Sequence, residues 1–292
     1  MSRRNRSLQY VYLLPVLATI AFVFAFPIAK NVQISLTNAR FLERSLWVGI
    51  SNYLRALSDK YFWHSLAITV EYTLIYTVFI FAIALTTATI LDKLSERSRL
   101  NSLFRTFFVM PYAIPDVVAA MVFLWMLDYQ FGVVNFFLRA LGIVQSPVNW
   151  FSNSALALLV IVAIEVWRLY PMHALILFAA MQAIPRELYE SADIDGAGSI
   201  AKFLKITVPH LMSISMILLV LTVIWCFRRF TMIWILTRGG PARATETTVI
   251  QIYSYAFTFN KMAYAAAIGN IMLLLTVALV IPYFVLSRRP RN

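Results

Sequence analysis

A chain of 292 residues that is 61% apolar and only 13% charged lies far from the roughly 25% charged composition of soluble domains, and its mean hydropathy of +0.76 reads as an integral membrane protein. A net charge of +12 would suggest nucleic acid in a soluble chain, but here the basic residues gather at the ends of apolar runs, which is membrane topology rather than a nucleic-acid footprint. The single cysteine, Cys226, sits within an apolar run and excludes a disulfide framework and a thiolate metal cluster.

Crossing the hydrocarbon takes about 20 apolar residues as a helix. Six stretches qualify: Leu8 to Ala29, Leu66 to Leu91, Phe107 to Leu127, Ala155 to Met181, Leu211 to Leu236 and Tyr264 to Leu286. The fold class is therefore an all-α integral membrane protein with six transmembrane helices and both termini on one side. The first stretch follows Arg3, Arg4 and Arg6 but is too long for a signal peptide and lacks a small-x-small cleavage site, so it reads as a retained helix. No soluble domain is expected before or after the bundle. The division by sequence is 1–65 for the N-terminal tail, first helix and external loop, 66–286 for the remaining five helices, and 287–292 for a C-terminal tail.

Orientation follows from Lys and Arg. The side holding the termini and the loops at 92–106 and 182–210 collects Lys93, Arg97, Arg99, Arg105, Arg186, Lys202, Lys205, Arg288, Arg289 and Arg291 besides the three N-terminal arginines, while the opposite loops hold fewer over a longer total length. That side is cytoplasmic by the positive-inside rule. Arg40, Arg44, Arg55 and Lys60 run against the trend. The outer loops, 30–65, 128–154 and 237–263, carry aromatic and turn residues such as "SPVNWFSN" and "TRGGPARATETT" and are too short for separate domains.

The cytoplasmic stretch "ELYESADIDGAGSIAKFLKITVPHL", Glu187 to Leu211, is unlike its surroundings in acids and glycines. Pro185 opens a helix over Arg186 to Ile194 that Asp195, Gly196 and Gly198 break, and Ser199 caps a second helix, Ile200 to Val208, before Pro209 starts the fifth span. The expectation is helix, sharp turn, helix, lying across the membrane face. Glu190, Ser191 and Ala192 make a patch of one charge and two very small side chains that lets another surface approach the backbone. An amphipathic connector on lipid is the alternative, but such a helix calls for a basic face, whereas this one carries Glu187, Glu190, Asp193 and Asp195.

Ionisable residues inside spans are functional candidates because burying them is expensive. Glu71, Arg228 and Arg229 lie one or two turns from the outer boundary, within snorkelling reach. Asp116 and Arg168 fall near mid-bilayer, with Glu165 on the helix face of Arg168 at i and i+3. Either a buried ion pair or a solute-lining role fits them. Pro111 and Pro115 favour a broken helix in the third span, with Asp116 at the break. Trp125, Trp167, Tyr170 and Trp225 could stack on a sugar ring or serve as packing. The candidates for the solute path are Asp116, Glu165, Trp167, Arg168, Tyr170 and Arg228. His64, His173 and His210 fall in different segments and suggest no metal cluster, and there is no GxxxxGK[ST] phosphate loop or HExxH.

The stretch "ELYESADIDGAGSIAKFLKITVP" resembles the EAA loop of membrane subunits of binding-protein-dependent ABC importers, with Glu190, Ala192, Asp195, Gly196, Ala197, Phe203, Ile206 and Pro209 at the pattern's positions and Ser191 in place of the first alanine. "FFVMPYAIPDVVAAMVFLWML", "WRLYPMHALILFAAMQAIPRELYE" and "ILTRGGPARATETTVIQIYSYAF" resemble the MalF-like permeases of the carbohydrate-uptake group, so the likeness covers nearly the whole chain. Asp116, where the pattern is usually apolar or proline, and Glu71 depart from it.

The resemblance implies a permease subunit, not an enzyme, of an ATP-driven importer for a sugar or sugar-derived solute. It would pair with a second, non-identical permease subunit and two cytoplasmic ATPase subunits, and an external solute-binding protein would feed it. It would bind no cofactor; ATP and Mg would sit on the ATPase partners. No nucleic-acid partner is implied, and the location would be a bacterial or archaeal cytoplasmic membrane. Glu190, Ser191, Ala192, Asp195, Gly196, Ile206 and Pro209 would couple to the ATPase. Gly239, Gly240 and Pro241 would form a tight turn at the external mouth. Glycerol-phosphate, polyamine or another small solute, or a secondary transporter, are the rival readings, along with an assembly protein without transport. The lack of a convincing internal repeat disfavours the secondary transporter.

Overall fold

A computed structural model describes residues 3–40, 45–95 and 108–287. The described residues are helical apart from connecting loops and one isolated bridge, Thr37 to Trp47. Five helices are long and apolar enough to cross a membrane: Tyr12–Ser35, Lys60–Lys93, Ser154–Gln182, Ser199–Phe227 and Met262–Ile281.

In chain order, α1 (Arg3–Ile20) continues through a π turn at Ala21–Ala25 into α2 (Phe26–Ser35), so the first helix runs six residues beyond the expected end at Ala29. The amphipathic α3 (Ser51–Ser58) precedes α4 (Lys60–Ser95). The third expected span is two pieces: α5, helical over 108–113 among the described residues, and α6 (Asp116–Met126), 11 residues long with Pro115 at its N-cap. Phe107, its expected first residue, lies outside the described residues. The break is where Pro111 and Pro115 put it, because proline cannot donate to the turn before it and disfavours α geometry in the residue it follows. Next come α7 (Val133–Ala140) and α8 (Ser154–Gln182), which Asn153 caps by accepting from the amides of Ala155 and Leu156 and which carries Pro171 without interruption.

The cytoplasmic stretch folds as α9 (Arg186–Ile194), a turn with Gly196 at φ +74°, and α10 (Ser199–Lys202). Two expectations need correction. Gly198, not Ser199, is the N-cap, without a side-chain hydrogen bond. More importantly, Pro209 does not separate a surface helix from the fifth span: α10 runs through a π turn at Phe203–Thr207 into α11 (Val208–Phe227). The wider turn, in which the amide of Val208 bonds to the carbonyl of Phe203, shifts the hydrogen-bond register, and Pro209 then falls in the first turn of a new α segment, where its missing N–H is tolerated. At its other end the span stops at Phe227 rather than Leu236, because the adjacent Arg228 and Arg229 cannot both face an apolar medium and the backbone turns there. α12 (Thr231–Thr237), α13 (Thr248–Tyr253), a π turn at Ser254–Thr258 and α14 (Met262–Ser287) complete the chain.

The chain forms two compact units. One draws on Met1–His64 and Gln251–Ile281, and the body of the other is Ser65–Ile250. In the larger unit α4 buries every fourth residue, Tyr72, Tyr76, Ile80, Ala84 and Ala88, as neighbours on one helical face must. The upper half of this row meets Ala119 and Ala120 of α6, Leu158, Ile161 and Val162 of α8, and Met232, Ile233 and Leu236 of α12. The lower half meets Ala174, Leu177 and Met181 of α8 and Leu211 and Leu218 of α11. The alanines let these backbones come close, as apolar helices in lipid require for dispersion contact. In the smaller unit a polar network joins three helices. The Asn31 amide donates to Asn270 Oδ1 at 2.7 Å, the Asn270 amide donates to the Tyr53 hydroxyl at 2.9 Å, and the Tyr53 and Ser35 hydroxyls are 2.6 Å apart.

Two glycines with positive φ should respond differently to alanine. A Cβ on Gly196 meets nothing within 4 Å, so Gly196→Ala carries only the left-handed backbone cost of about 1–2 kcal/mol. A Cβ on Gly239 (φ +90°) would lie 3.1 Å from Ile250 Cγ2 and 3.3 Å from Glu246 Cβ. Gly239→Ala should therefore lower the thermal midpoint in detergent clearly more than Gly196→Ala.

Candidate functional site

Within the larger unit the break before α6 and the end of α11 deliver charges to α8. Arg168 Nη2 lies 2.5 Å from Asp116 Oδ1 and 3.6 Å from Glu165 Oε2, and Arg229 Nη1 approaches the same Glu165 oxygen at 3.6 Å. The Arg168 guanidinium also donates to the carbonyl of Ile114 at 3.4 Å, a group that the α5–α6 break frees from helix bonding. The quartet is formally neutral, two carboxylates against two guanidinium groups.

Its members differ in access. The Glu165 side chain is 0% exposed and Arg168 7%, while Asp116 retains 35%. Both Glu165 oxygens lack a hydrogen-bond partner among the described residues, so its negative charge is balanced by proximity rather than by direct donors. Asp116 is the exposed edge of the cluster, and Glu165 is its sealed counter-ion. Arg229 also lies over the Tyr76 ring, 6.0 Å from the centroid, a cation–π contact that offsets some of its burial.

The sequence candidates divide on this geometry. Asp116, Glu165 and Arg168 come together. Trp167 of α8 packs edge-on against Phe123 at 5.1 Å and Tyr170 against Phe108 at 5.0 Å, both partly exposed. Arg228 is exposed and outside the cluster; its neighbour Arg229, read from the sequence as a snorkelling residue, takes the inner place. A signal for Arg229 was present: Asp116 and Glu165 with Arg168 alone leave one negative charge uncompensated, and Arg229 supplies the balance. Trp125 is 82% exposed and Glu71 is exposed, both away from the cluster. His173 is a packed residue whose Nε2 lies 2.9 Å from the Thr222 hydroxyl. Among the described residues no group of His, Cys, Asp and Glu is placed to hold a metal ion.

At the opposite end of α8 and α11 the α9–α10 turn projects Glu190, Ser191, Asp195 and Gly196 outward, with Ala192 half-buried behind them. Its apolar tips, Ile194 and Ile200, are 88% and 77% exposed. The turn is braced from behind: Lys202 pairs with Asp193 at 2.5 Å, Tyr189 and Thr207 join by their hydroxyls at 2.9 Å, and the Ala197 amide donates to the Ala192 carbonyl at 2.8 Å. Ile206 lies half-buried in the π turn and Pro209 is exposed just beyond it.

The GGP segment is enclosed by its own unit. Gly239 is buried and Gly240 and Pro241 are partly so. The Thr245 hydroxyl donates to the Gly240 carbonyl at 2.7 Å and meets the Thr237 hydroxyl at 2.7 Å, and the Thr248 amide donates to Thr69 on α4 at 2.8 Å. These bonds make the segment a latch between the end of α12 and α4.

Residues 79–292 match the family model described as binding-protein-dependent transport system inner membrane component. The chain is 32% identical to the trehalose/maltose transport system permease protein MalF of Thermococcus litoralis, over 99% of this chain and 96% of that one. It is 34% identical to a probable ABC transporter permease protein, YurN, of Bacillus subtilis, over 96% and 95%, and 31% identical to the sn-glycerol-3-phosphate transport system permease protein UgpA of Agrobacterium fabrum, over 94% and 92%. Its fold is shared with a chain of a bacterial alginate ABC transporter solved in complex with an alginate pentasaccharide-bound periplasmic protein, at a TM-score of 0.84, 20% identity and coverage of 98% and 96%.

The charge cluster sets a stability test. Removing one partner of a buried pair leaves an uncompensated charge at a cost of about 3–5 kcal/mol, so Arg168→Ala should strongly reduce the thermal midpoint and the yield of monodisperse protein in detergent. Arg228→Ala, at an exposed position, should shift it little.

Proposed function

The chain belongs to the family of binding-protein-dependent transport system inner membrane components, and from that premise we propose that it moves a sugar or sugar-derived solute inward through a channel it forms with a second, non-identical permease subunit. The family's members are membrane permeases and not enzymes themselves. This chain is a multi-pass membrane protein of that class. We place it in a cytoplasmic membrane with both termini inside and assign it two cytoplasmic ATPase partners, which hold ATP and Mg, and an external solute-binding protein that delivers the cargo.

The observation that carries the reading is the α9–α10 turn: a braced helix–glycine–helix element with bare isoleucine tips and outward acids, continuous through the π turn with the longest helix of the larger unit's second half. An element seated in a cleft of an ATPase needs that combination of rigid backing, small side chains and exposed apolar points. Closure of the ATPase dimer on ATP would move the turn, and the bundle would rock between inward- and outward-open states. In the larger unit Asp116 offers a carboxylate to solute hydroxyls, positioned by the buried Arg168 behind it, and Trp167 lies one residue before Arg168 for ring stacking. Glycerol phosphate is the second reading, supported by the UgpA relatives.

Two experiments test the reading. In the assembled transporter in proteoliposomes, Glu190→Lys and Gly196→Val should each cut ATP-driven uptake by about tenfold or more, as expected for a change worth at least 1.4 kcal/mol at the docking surface, while the chain still inserts. Normal uptake with full ATPase copurification in both variants would refute the coupling role. For the path, Asp116→Asn, at the exposed edge of the cluster, should leave the transporter assembled but alter uptake or solute preference; native uptake and selectivity in that variant would show the Asp116 carboxylate to be purely structural.

A further inference from the structure

A second polar site lies in the smaller unit, where the loop after α2 folds against the start of α14. The Asn52 amide donates to the carbonyls of Ser35 and Thr37 at 2.8 and 2.7 Å, fixing α3 to the end of α2, and the Ala263 amide donates to the Ala39 carbonyl at 3.1 Å. The Tyr264 hydroxyl donates to Asp59 Oδ2 at 2.8 Å, which holds the Tyr264 ring beneath the Arg55 guanidinium, 4.9 Å away. The Lys261 ammonium stands over the Tyr255 ring at 5.9 Å. Together these segments enclose a cavity of about 370 Å³ lined by Arg40, Arg55, Lys261, Asn38, Asn52 and Tyr264.

Among the described residues no carboxylate lines that cavity. Asp59, the neighbouring acid, is engaged by Tyr264 and by the Tyr61 amide at 2.9 Å. No ion pair joins Arg55 or Lys261 to a carboxylate among the described residues. Two cations are thus posed by aromatic rings, with the Asn38 side chain beside them, around a space that no carboxylate of the described residues lines. That is a preorganised receptor for an anion.

The helix geometry says from which side the anion comes. Ile50, Leu54 and Leu57 form an apolar stripe on α3 that is 62%, 58% and 49% exposed. At 3.6 residues per turn Arg55 points about 100° from Leu54 and about 160° from Leu57. The face opposite the stripe packs on the protein through Ala56, 0% exposed, and Asn52, so Arg55 stands on the flank of the helix between the two. Arg55 is itself exposed on that flank, turned away from the stripe and from phospholipid headgroups beside it.

We propose that this pocket, with Arg55 and Lys261 as its cationic walls, receives an acidic side chain of the solute-binding protein and so docks it on the permease. This rests on the importer reading above, which puts the start of α14 at the outer face. Such a contact acts mainly on encounter and register, so it falls with salt and changes the apparent affinity rather than the maximal rate.

The test uses the assembled transporter in proteoliposomes and the purified solute-binding protein of the same system, reading ATPase rate against binding-protein concentration. Arg55→Glu with Lys261→Glu should raise the half-saturating concentration by about tenfold or more and flatten its salt dependence, as loss of interfacial charge pairs does, with the saturated rate within about twofold of wild type. Arg55→Gln with Lys261→Gln should give a smaller shift of the same sign, which guards against misfolding of the reversed pair. An acid-to-lysine change on the binding protein that restores the charge-reversed variant would fix the contact. An unchanged half-saturating concentration overturns the proposal. So does a shift that appears only when the anionic phospholipid content of the vesicles is varied, or only in uptake of an anionic against a neutral solute at saturating binding protein. If wild-type ATPase is not stimulated by the binding protein at all, the importer reading itself fails, and the docking pocket with it.

Discussion

A carboxylate sealed inside an apolar bundle is the constraint on which the larger unit depends. Glu165 is 0% exposed, and a lone charge at such a depth costs at least about 2.5–3.5 kcal/mol, so cations have to be brought to it. One comes from the same helix, Arg168. The other, Arg229, can reach it only because α11 stops at Phe227 and the chain turns. Arg168 in turn needs Asp116, which is available because a proline break starts α6 at that residue. Two helix boundaries are thus tied to the neutralisation of one buried side chain.

The same reasoning separates what was legible in the sequence from what was not. The apolar runs locate α4, α8 and α14 to within about six residues at each end but misplace both ends of the fifth span, and Pro111 and Pro115 locate the break, since a missing N–H acts locally whatever the surroundings. The meeting of Asp116 with Arg168 follows from the expense of an unpaired charge. Arg229 was hidden by the assumption that the fifth span runs straight to Leu236, which places it near a boundary where it could snorkel. Pro209 misled in the opposite sense: a proline reads as a stop, but a π turn one residue earlier accommodates it. The buried face of α4 was illegible altogether. Tyr72, Tyr76, Ile80, Ala84 and Ala88 are inside, whereas Leu74 and Val78 are 62% and 66% exposed, and a lipid-facing position is as apolar as a core one.

Polar side chains play a different part in each unit. Around Glu165 they are charges whose placement governs where helices end. In the smaller unit the Asn31, Asn270, Ser35 and Tyr53 network is uncharged and short-ranged, of the kind worth about 0.6 kcal/mol per bond between helices in lipid, and it acts by number and register. The GGP latch combines both styles, with threonine hydroxyls holding carbonyls while Arg243 and Glu246 pair beside them.

The uninterrupted run from Ser199 to Phe227 has a mechanical meaning. Its 29 residues make a rod of about 43 Å at 1.5 Å per residue, with the Gly196 turn just before one end and Arg229 just past the other. A rod transmits displacement along its axis with little loss, because shortening it would break many backbone hydrogen bonds at once. The π turn at Phe203–Thr207 is the one point along it where a bond register could slip by a residue. A push at the turn is therefore delivered to the arginine that neutralises Glu165, and the two ends of the larger unit are geared together by a single piece of backbone.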